Sequence, residues 1–201
     1  MTLHNTLHDL LAAFRAYLSE QAPDIASFCK GALDHDLPEK MLEPRLLGGA
    51  KRLRDEPPAA APATQGLLDR VRAAAPYLHW RQSYTEADPW IDAHYLANYA
   101  WFNLVAPSGP FVSDDLRLSV GYWGQGLIYP RHWHEPEEIY LTIAGSTTYL
   151  SEGRAPLLGG PGTTVCHYAN QPHAARMDKA PLLAAAFWRG DELEAKSVID
   201  A

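Results

Sequence analysis

The segment "GLIYPRHWHEPEEIYLTIAG", residues 126–145, constrains this chain more than any other stretch. Side chains on a strand alternate between its two faces, so residues 138–144 would send Glu138, Tyr140, Thr142 and Ala144 one way and Ile139, Leu141 and Ile143 the other. His132 and His134 share a face by the same rule. The intervening "EPE" is short enough to turn the chain and bring the next strand alongside, which predicts two imidazoles and a carboxylate converging on one point. Nitrogen and oxygen ligands without a thiolate suit zinc, iron, manganese, nickel or copper. Downstream, "GGPGTTVCHYANQPHAAR" adds a further histidine: the glycine-rich turn at 159–162 leads into a strand, and His173 follows the Asn-Gln-Pro turn. His167, just before that turn, is read as structural or exposed, as are His4, His8, His35, His79 and His94. Glu137, beside Glu138 but on the opposite strand face, is read as a solvated neighbour.

The flanking chain divides by texture. Leu7, Leu10, Leu11, Phe14 and Leu18 form one helical stripe, and the pattern resumes after Pro23 through Ile25, Phe28 and Leu33. "PPAAAPATQ" at 57–65 reads as a turn or linker, and Leu67, Leu68 and Val71 suggest a short helix ending before Pro76. From Tyr77 onward, "YLHWRQSY", "AWFNLVA", "LRLSVGYW", "EEIYLTIAG", "STTYLSEG" and "LLAAAFW" are short aromatic or β-branched runs separated by turn residues. Short strands at close spacing indicate an all-β sandwich or barrel rather than βαβ units. The expected architecture is a helical extension over 1–75 packed on an antiparallel barrel over 76–201, in one structural domain. The apolar face at 139, 141 and 143 is left to pack on a second sheet or a partner chain, and the oligomeric state stays open.

Several classes of function are excluded by composition. The chain carries a net charge of −7 at pH 7, and its only basic cluster is "KRLR" at 51–54, too little to neutralise a phosphate backbone, so nucleic acid is not an expected partner. There is no apolar run of the roughly 18 residues needed to cross a bilayer, and the first residues lack the features of a secretory signal. No membrane association is expected, and a cytoplasmic location is the default. The two cysteines, Cys29 and Cys166, lie far apart and suggest free thiols rather than a disulfide or a thiolate metal cluster.

Gly126, His132, His134, Glu138 and Gly145 match the first motif of the cupin superfamily at every fixed position. Gly162 and His173 fall at the glycine and histidine of its second motif, while Tyr168, Asn170 and Met177 stand where that motif usually has Pro, Gly and Asn. The chain is thus identified as resembling the cupins, which implies a jelly-roll antiparallel barrel with His132, His134, Glu138 and His173 as ligands to one divalent transition metal ion. Zinc or iron is expected first, with manganese, nickel or cobalt also accommodated. With Tyr129, Tyr140, Trp188 and the helical N-terminal segment added, the chain resembles the bacterial cupin-type dimethylsulfoniopropionate (DMSP) lyases over most of its length. That resemblance implies a carbon–sulfur lyase that splits a small sulfonium carboxylate into dimethyl sulfide and acrylate.

The chemistry accounts for these residue types. Taking a proton from the carbon beside a carboxylate builds negative charge next to negative charge, which a nearby metal offsets. A tyrosine, with a pKa of about 10, serves as base only when a close cation favours tyrosinate. Tyr140, sharing a face with Glu138, is the expected base, and it could also occupy a metal position in competition with His132. The sulfonium leaving group has no hydrogen-bond donor, so aromatic faces are its natural surface. Trp188 and Tyr129 are the expected wall, with Tyr129 also a candidate catalytic group and His132 beside the substrate. Against these stand plainer readings, Tyr140 as a core tyrosine and Trp188 as packing. Other cupin activities compete as well: a dioxygenase or isomerase acting on another small carboxylate, or a non-catalytic ligand-binding module.

Overall fold

A computed structural model describes residues 3–200, with side chains from residue 5 onward. The side chain of His4 lies outside the described residues. The N-terminal stripe forms α1 (Leu3–Gln21), with Leu10 and Phe14 fully buried. Pro23, which has no N–H to satisfy and a φ preset for helix, opens α2 (Pro23–Phe28). α3 (Gly48–Asp55) begins on paired glycines because the backbone comes too close for any side chain: a Cβ at Gly48 would lie 2.3 Å from the Ala97 carbonyl oxygen. α4 (Pro62–Ala74) starts earlier than its apolar residues indicate, inside the expected linker. Pro62 takes the first helical position, and the Thr64 hydroxyl accepts the Ala61 N–H at 3.2 Å.

A short 3-10 turn (Ala75–Tyr77) and α5 (Ala93–Ala97) precede the sheets. Residues 77–84, expected as a strand, make only isolated bridges, Arg45 to His79 and Arg81 to Trp101. The segment is held instead by Trp80, fully buried, whose indole N–H donates to Ala75 O at 2.9 Å and whose ring meets Phe102 edge-on.

Ten strands follow among the described residues: β1 (Tyr99–Val105), β2 (Arg117–Trp123), β3 (Ile128–Trp133), β4 (Glu137–Gly145), β5 (Thr147–Ser151), β6 (Leu157–Gly159), β7 (Thr164–His167), β8 (His173–Arg176), β9 (Leu182–Arg189) and β10 (Val198–Ile199). They form two five-stranded antiparallel sheets, β1-β2-β9-β4-β7 and β10-β3-β8-β5-β6, closed face to face as a jelly-roll sandwich. β3 and β4 do not form the hairpin expected from "EPE". β4 crosses to the opposite sheet, where it pairs with β7 and β9, while β3 pairs with β8 and β10. The connection 134–136, which contains Pro136, carries the chain from one sheet to the other, so His132 and Glu138 lie on opposite sheets.

Period-2 alternation divides β4 between two clusters. Ile139, Leu141 and Ile143 point outward into an apolar cluster with Phe14, Leu18, Leu67, Leu68 and Phe187, so helices α1 and α4 cover this face of the sheet. The inward face joins a second cluster containing Tyr129, Tyr140, Tyr149 and Trp188. The helix-to-sheet seam carries a large share of the buried apolar surface. Phe187→Ala, which removes the ring packed edge-on against Phe14 at 6.4 Å, is expected to lower unfolding free energy by about 3–5 kcal/mol in chemical denaturation.

Candidate metal centre and active site

His132, next to last in β3, is in register with His173 at the start of β8, and His134 follows β3 directly. Glu138 sits opposite them on β4, in register with His167 of β7 on one side and Trp188 of β9 on the other. All are buried, Glu138 to 1% exposure. The expected ligands His132, His134, Glu138 and His173 therefore lie together between the sheets.

Three imidazoles are oriented the same way. The Nδ1–H of His132 donates to Pro130 O at 2.7 Å, that of His134 to Pro136 O at 2.9 Å, and that of His173 to Gln171 O at 2.8 Å. Because a carbonyl oxygen can only accept, each Nδ1 must carry the proton, which leaves Nε2 bare in the neutral ring. The ligand atoms of these three histidines lie within 4.8 Å of one another. Nε2 of His134 and of His173 are buried and have no hydrogen-bond partner, although they lie 3.4 and 3.2 Å from Glu138 Oε2. Lone pairs aimed at lone pairs repel, and a cation among them satisfies all at once. The donor set thus fits one divalent transition metal ion, held by nitrogen and oxygen without thiolate.

Both oxygens of Glu138 are also held from behind. Oε1 accepts the Trp188 indole N–H at 2.6 Å and Oε2 accepts the His167 Nδ1–H at 3.0 Å, while His167 Nε2 accepts from Ser151 at 2.9 Å. His167 is thus part of the site, 2% exposed, rather than among the peripheral histidines. His8, His35 and His94 are exposed, and His79 is half-buried. Burial alone would raise the Glu138 carboxyl, but the imidazoles of His134, His167 and His173 packed around it outweigh burial and hold it well below the usual range. Glu137, by contrast, faces away and pairs with Arg189 at 2.5 Å.

Next to this cluster is a cavity of about 230 Å³ lined by Tyr99, Trp123, Tyr129, Tyr140, Trp188 and Arg117, among others. Tyr129 lies over His132 with centroids 4.1 Å apart and touches Trp123 and Tyr99. Its hydroxyl is 3.3 Å from that of Tyr84, a residue whose part the sequence did not suggest. Tyr140 is 5.9 Å from His167 and 6.4 Å from His173 between ring centroids. Burial first and the Glu138 charge second push its phenol well above the ordinary value, and burial does the same for Tyr129. Trp188, expected as part of a wall for a cation, has little free face. His134 stacks on it at 4.0 Å and the Arg117 guanidinium lies 4.3 Å from its centroid. Two groups that close to one centroid cannot share a face, so both faces are covered.

Comparison with known proteins gives the family of the chain. A family model for dimethylsulfoniopropionate lyase matches residues 50–184. The chain is similar to dimethylsulfoniopropionate lyase DddQ of Ruegeria pomeroyi, 35% identical over 183 residues, which are 91% of this chain and 89% of that one. A crystal structure of DMSP lyase DddQ from Ruegeria pomeroyi DSS-3 superposes with a TM-score of 0.88 at 34% identity, covering 97% of this chain and 96% of that chain. A solved structure described with the DMSP lyases RdDddP and RnDddQII covers all of both chains, with a TM-score of 0.93 at 34% identity. The chain therefore belongs to the dimethylsulfoniopropionate lyase family.

Two outcomes are expected for the metal-free protein. Zinc at about a hundredfold over its Kd should add about 2.7 kcal/mol to stability by mass action, and His134→Ala or His173→Ala should abolish most of the rise in Tm. Acid should destabilise it from about pH 6.5 downward. Burial depresses the His132 and His167 imidazoles, so the unfolded chain takes up protons there that the folded one resists, and the stability present above that pH is lost as pH falls. Urea titrations across pH 5 to 8, on the order of the range where histidines charge, measure the slope.

Proposed function

We propose that the chain cleaves dimethylsulfoniopropionate to dimethyl sulfide and acrylate by β-elimination, at the cavity between the histidine cluster and the aromatic wall. The observation carrying this reading is the juxtaposition of the unpartnered Nε2 atoms of His134 and His173 against a buried carboxylate, with His132 beside them, and a chamber lined by aromatic rings. His132, His134, Glu138 and His173 would hold the metal, with Tyr140 as a further ligand able to alternate with His132. When bound, a divalent ion supplies positive charge that offsets the charge developing beside the substrate carboxylate and favours the deprotonated form of a neighbouring phenol.

Tyr140 is the base in this reading. Its phenolate oxygen takes a proton from the carbon next to the carboxylate. The electron pair of that C–H bond forms the C=C double bond, and the C–S bond breaks with its pair going to sulfur. One proton ends on Tyr140, and neutral dimethyl sulfide leaves acrylate behind. Tyr129, Tyr99 and Trp123, packed against one another 5.3 to 6.2 Å apart between centroids, present the surface that receives the sulfonium, since a soft cation without donors gains most from π faces. Tyr129 is fixed by Tyr84 and His132 and bridges the aromatic and metal ends of the cavity. Trp188 contributes its edge to the lining and its N–H to Glu138.

Elimination consumes no oxygen, which separates it from a cupin dioxygenase, and releases two products, which separates it from an isomerase. Headspace dimethyl sulfide and dissolved acrylate should appear in equal amounts, with or without air, from metal-loaded protein only. Tyr140→Phe should lower turnover by about 10²–10⁴-fold with metal content unchanged. Near-normal turnover in that variant would remove Tyr140 from the mechanism. Since burial and Glu138 disfavour the phenolate, wild-type activity should climb from neutral to alkaline pH as the deprotonated fraction grows. A flat profile would exclude a tyrosine base.

A further inference from the structure

Arg117 is a cation where the proposed substrate makes one unwelcome. It is 8% exposed, and it lines the chamber assigned above to a sulfonium, whose charge it repels. Its own charge is poorly solvated there, so its presence calls for another role. The guanidinium lies 4.6 Å from the Trp101 ring centroid and 4.3 Å from that of Trp188. Its fork is fixed in addition by two hydrogen bonds, Nε to Asn103 Oδ1 at 3.1 Å and Nη1 to Leu193 O at 3.0 Å. Beyond Trp188, on the other face, is the imidazole of His134. A column therefore runs Trp101, Arg117, Trp188, His134.

Arg117 and Trp188 also belong to a row across the sheet. Arg117 on β2 pairs with Trp188 on β9, which pairs with Glu138 on β4, which pairs with His167 on β7. Side chains in register point to one face, so these four are neighbours by backbone geometry alone. Within the row, Glu138 Oε1 receives the Trp188 N–H.

We propose that Arg117 is a positioning residue for the metal centre: clamped against Trp101, it fixes the Trp188 indole so that the indole N–H aims Glu138 and the far face of the ring backs His134. A planar guanidinium suits this task because it can lie flat on an aromatic face while its edge is hydrogen-bonded, which an ammonium cannot do. The inference rests on the assignment of His134 and Glu138 as metal ligands, and not on which substrate the site turns over.

The test is metal binding, measured by zinc competition with a chromogenic chelator and by the visible spectrum of cobalt-loaded protein, with the melting of the metal-free form recorded beside it. Arg117→Lys and Arg117→Gln should each weaken zinc binding by about 10–100-fold and alter the cobalt bands, with the metal-free form still folded. Trp188→Phe, which keeps an aromatic ring but loses the N–H, should weaken binding similarly. Arg117→Gln added to Trp188→Phe should then have little further effect, because the arginine acts through the indole. Unchanged zinc affinity and cobalt bands in both arginine variants would overturn the proposal, as would full additivity of the two changes. A rise in KM for dimethylsulfoniopropionate with metal binding intact would make Arg117 a substrate contact instead, again overturning it. Failure of the wild type to release dimethyl sulfide would sink the proposed reaction and leave these binding results standing.

Discussion

One buried carboxylate sets the terms for the rest of the molecule. An ionised group at 1% exposure is untenable without partners, and Glu138 has them on every side: an indole N–H on one oxygen, a histidine N–H on the other, and the Nε2 atoms of His134 and His173 in front. No single segment can supply them. His134 and His173 arrive from the sheet opposite β4, while Trp188 and His167 arrive from the strands flanking it. Two sheets closed on each other bring these groups to a common interior point, and the antiparallel register determines which residue meets which.

That register is secured from outside the barrel. β4 carries Glu138 and Tyr140 on one face and Ile139, Leu141 and Ile143 on the other, so a slip of one residue would turn its isoleucines and leucine into the polar interior and its glutamate under the helices. α1 and α4 make that slip prohibitive by covering the apolar face with Phe14, Leu18, Leu67 and Leu68. The helical segment is thereby coupled to the chemistry without supplying a metal ligand. Its packing decides which way Glu138 points.

Much of this was legible in the sequence because it depends on local periodicity. Alternation along 138–144 gives the faces of β4, and the spacing of His132, His134, Glu138 and His173 matches a known motif, so the barrel and the ligand cluster could be expected before any coordinates. What was hidden depends on long-range pairing. "EPE" is as short as a hairpin turn, and nothing local says that the chain crosses to the other sheet there. His167 looks like an ordinary strand histidine until its register with Glu138 is known, and Arg117 like a surface arginine until β2 is placed next to β9. Residues 77–84 have strand composition, yet the burial of Trp80 against Phe102 leaves them only isolated bridges. Trp188 has the residue type of a cation wall, but sequence cannot tell which faces of a ring are free, and here His134 and Arg117 cover them.

The cavity makes two demands that pull against each other. An aromatic, poorly hydrated chamber suits a sulfonium, because water competes little for the cation and π faces attract it. The same environment penalises phenolate, as the upward displacement of Tyr84, Tyr129 and Tyr140 by burial shows, with Tyr84 pushed to about 12. The layout separates the two by position. Tyr99 and Trp123 belong to the aromatic end, while Tyr140 stands at the boundary, stacked on Tyr149 on one side and edge-on to His167 on the other. Tyr140 stands on the same strand face as Glu138 and beside His167 and His173, so in the proposed mechanism a cation held by the histidines and Glu138 would act on it as well. On the proposed mechanism the base is weak in the empty site and strong in the loaded one. Proton abstraction is then confined to the state in which the charge it creates can be stabilised.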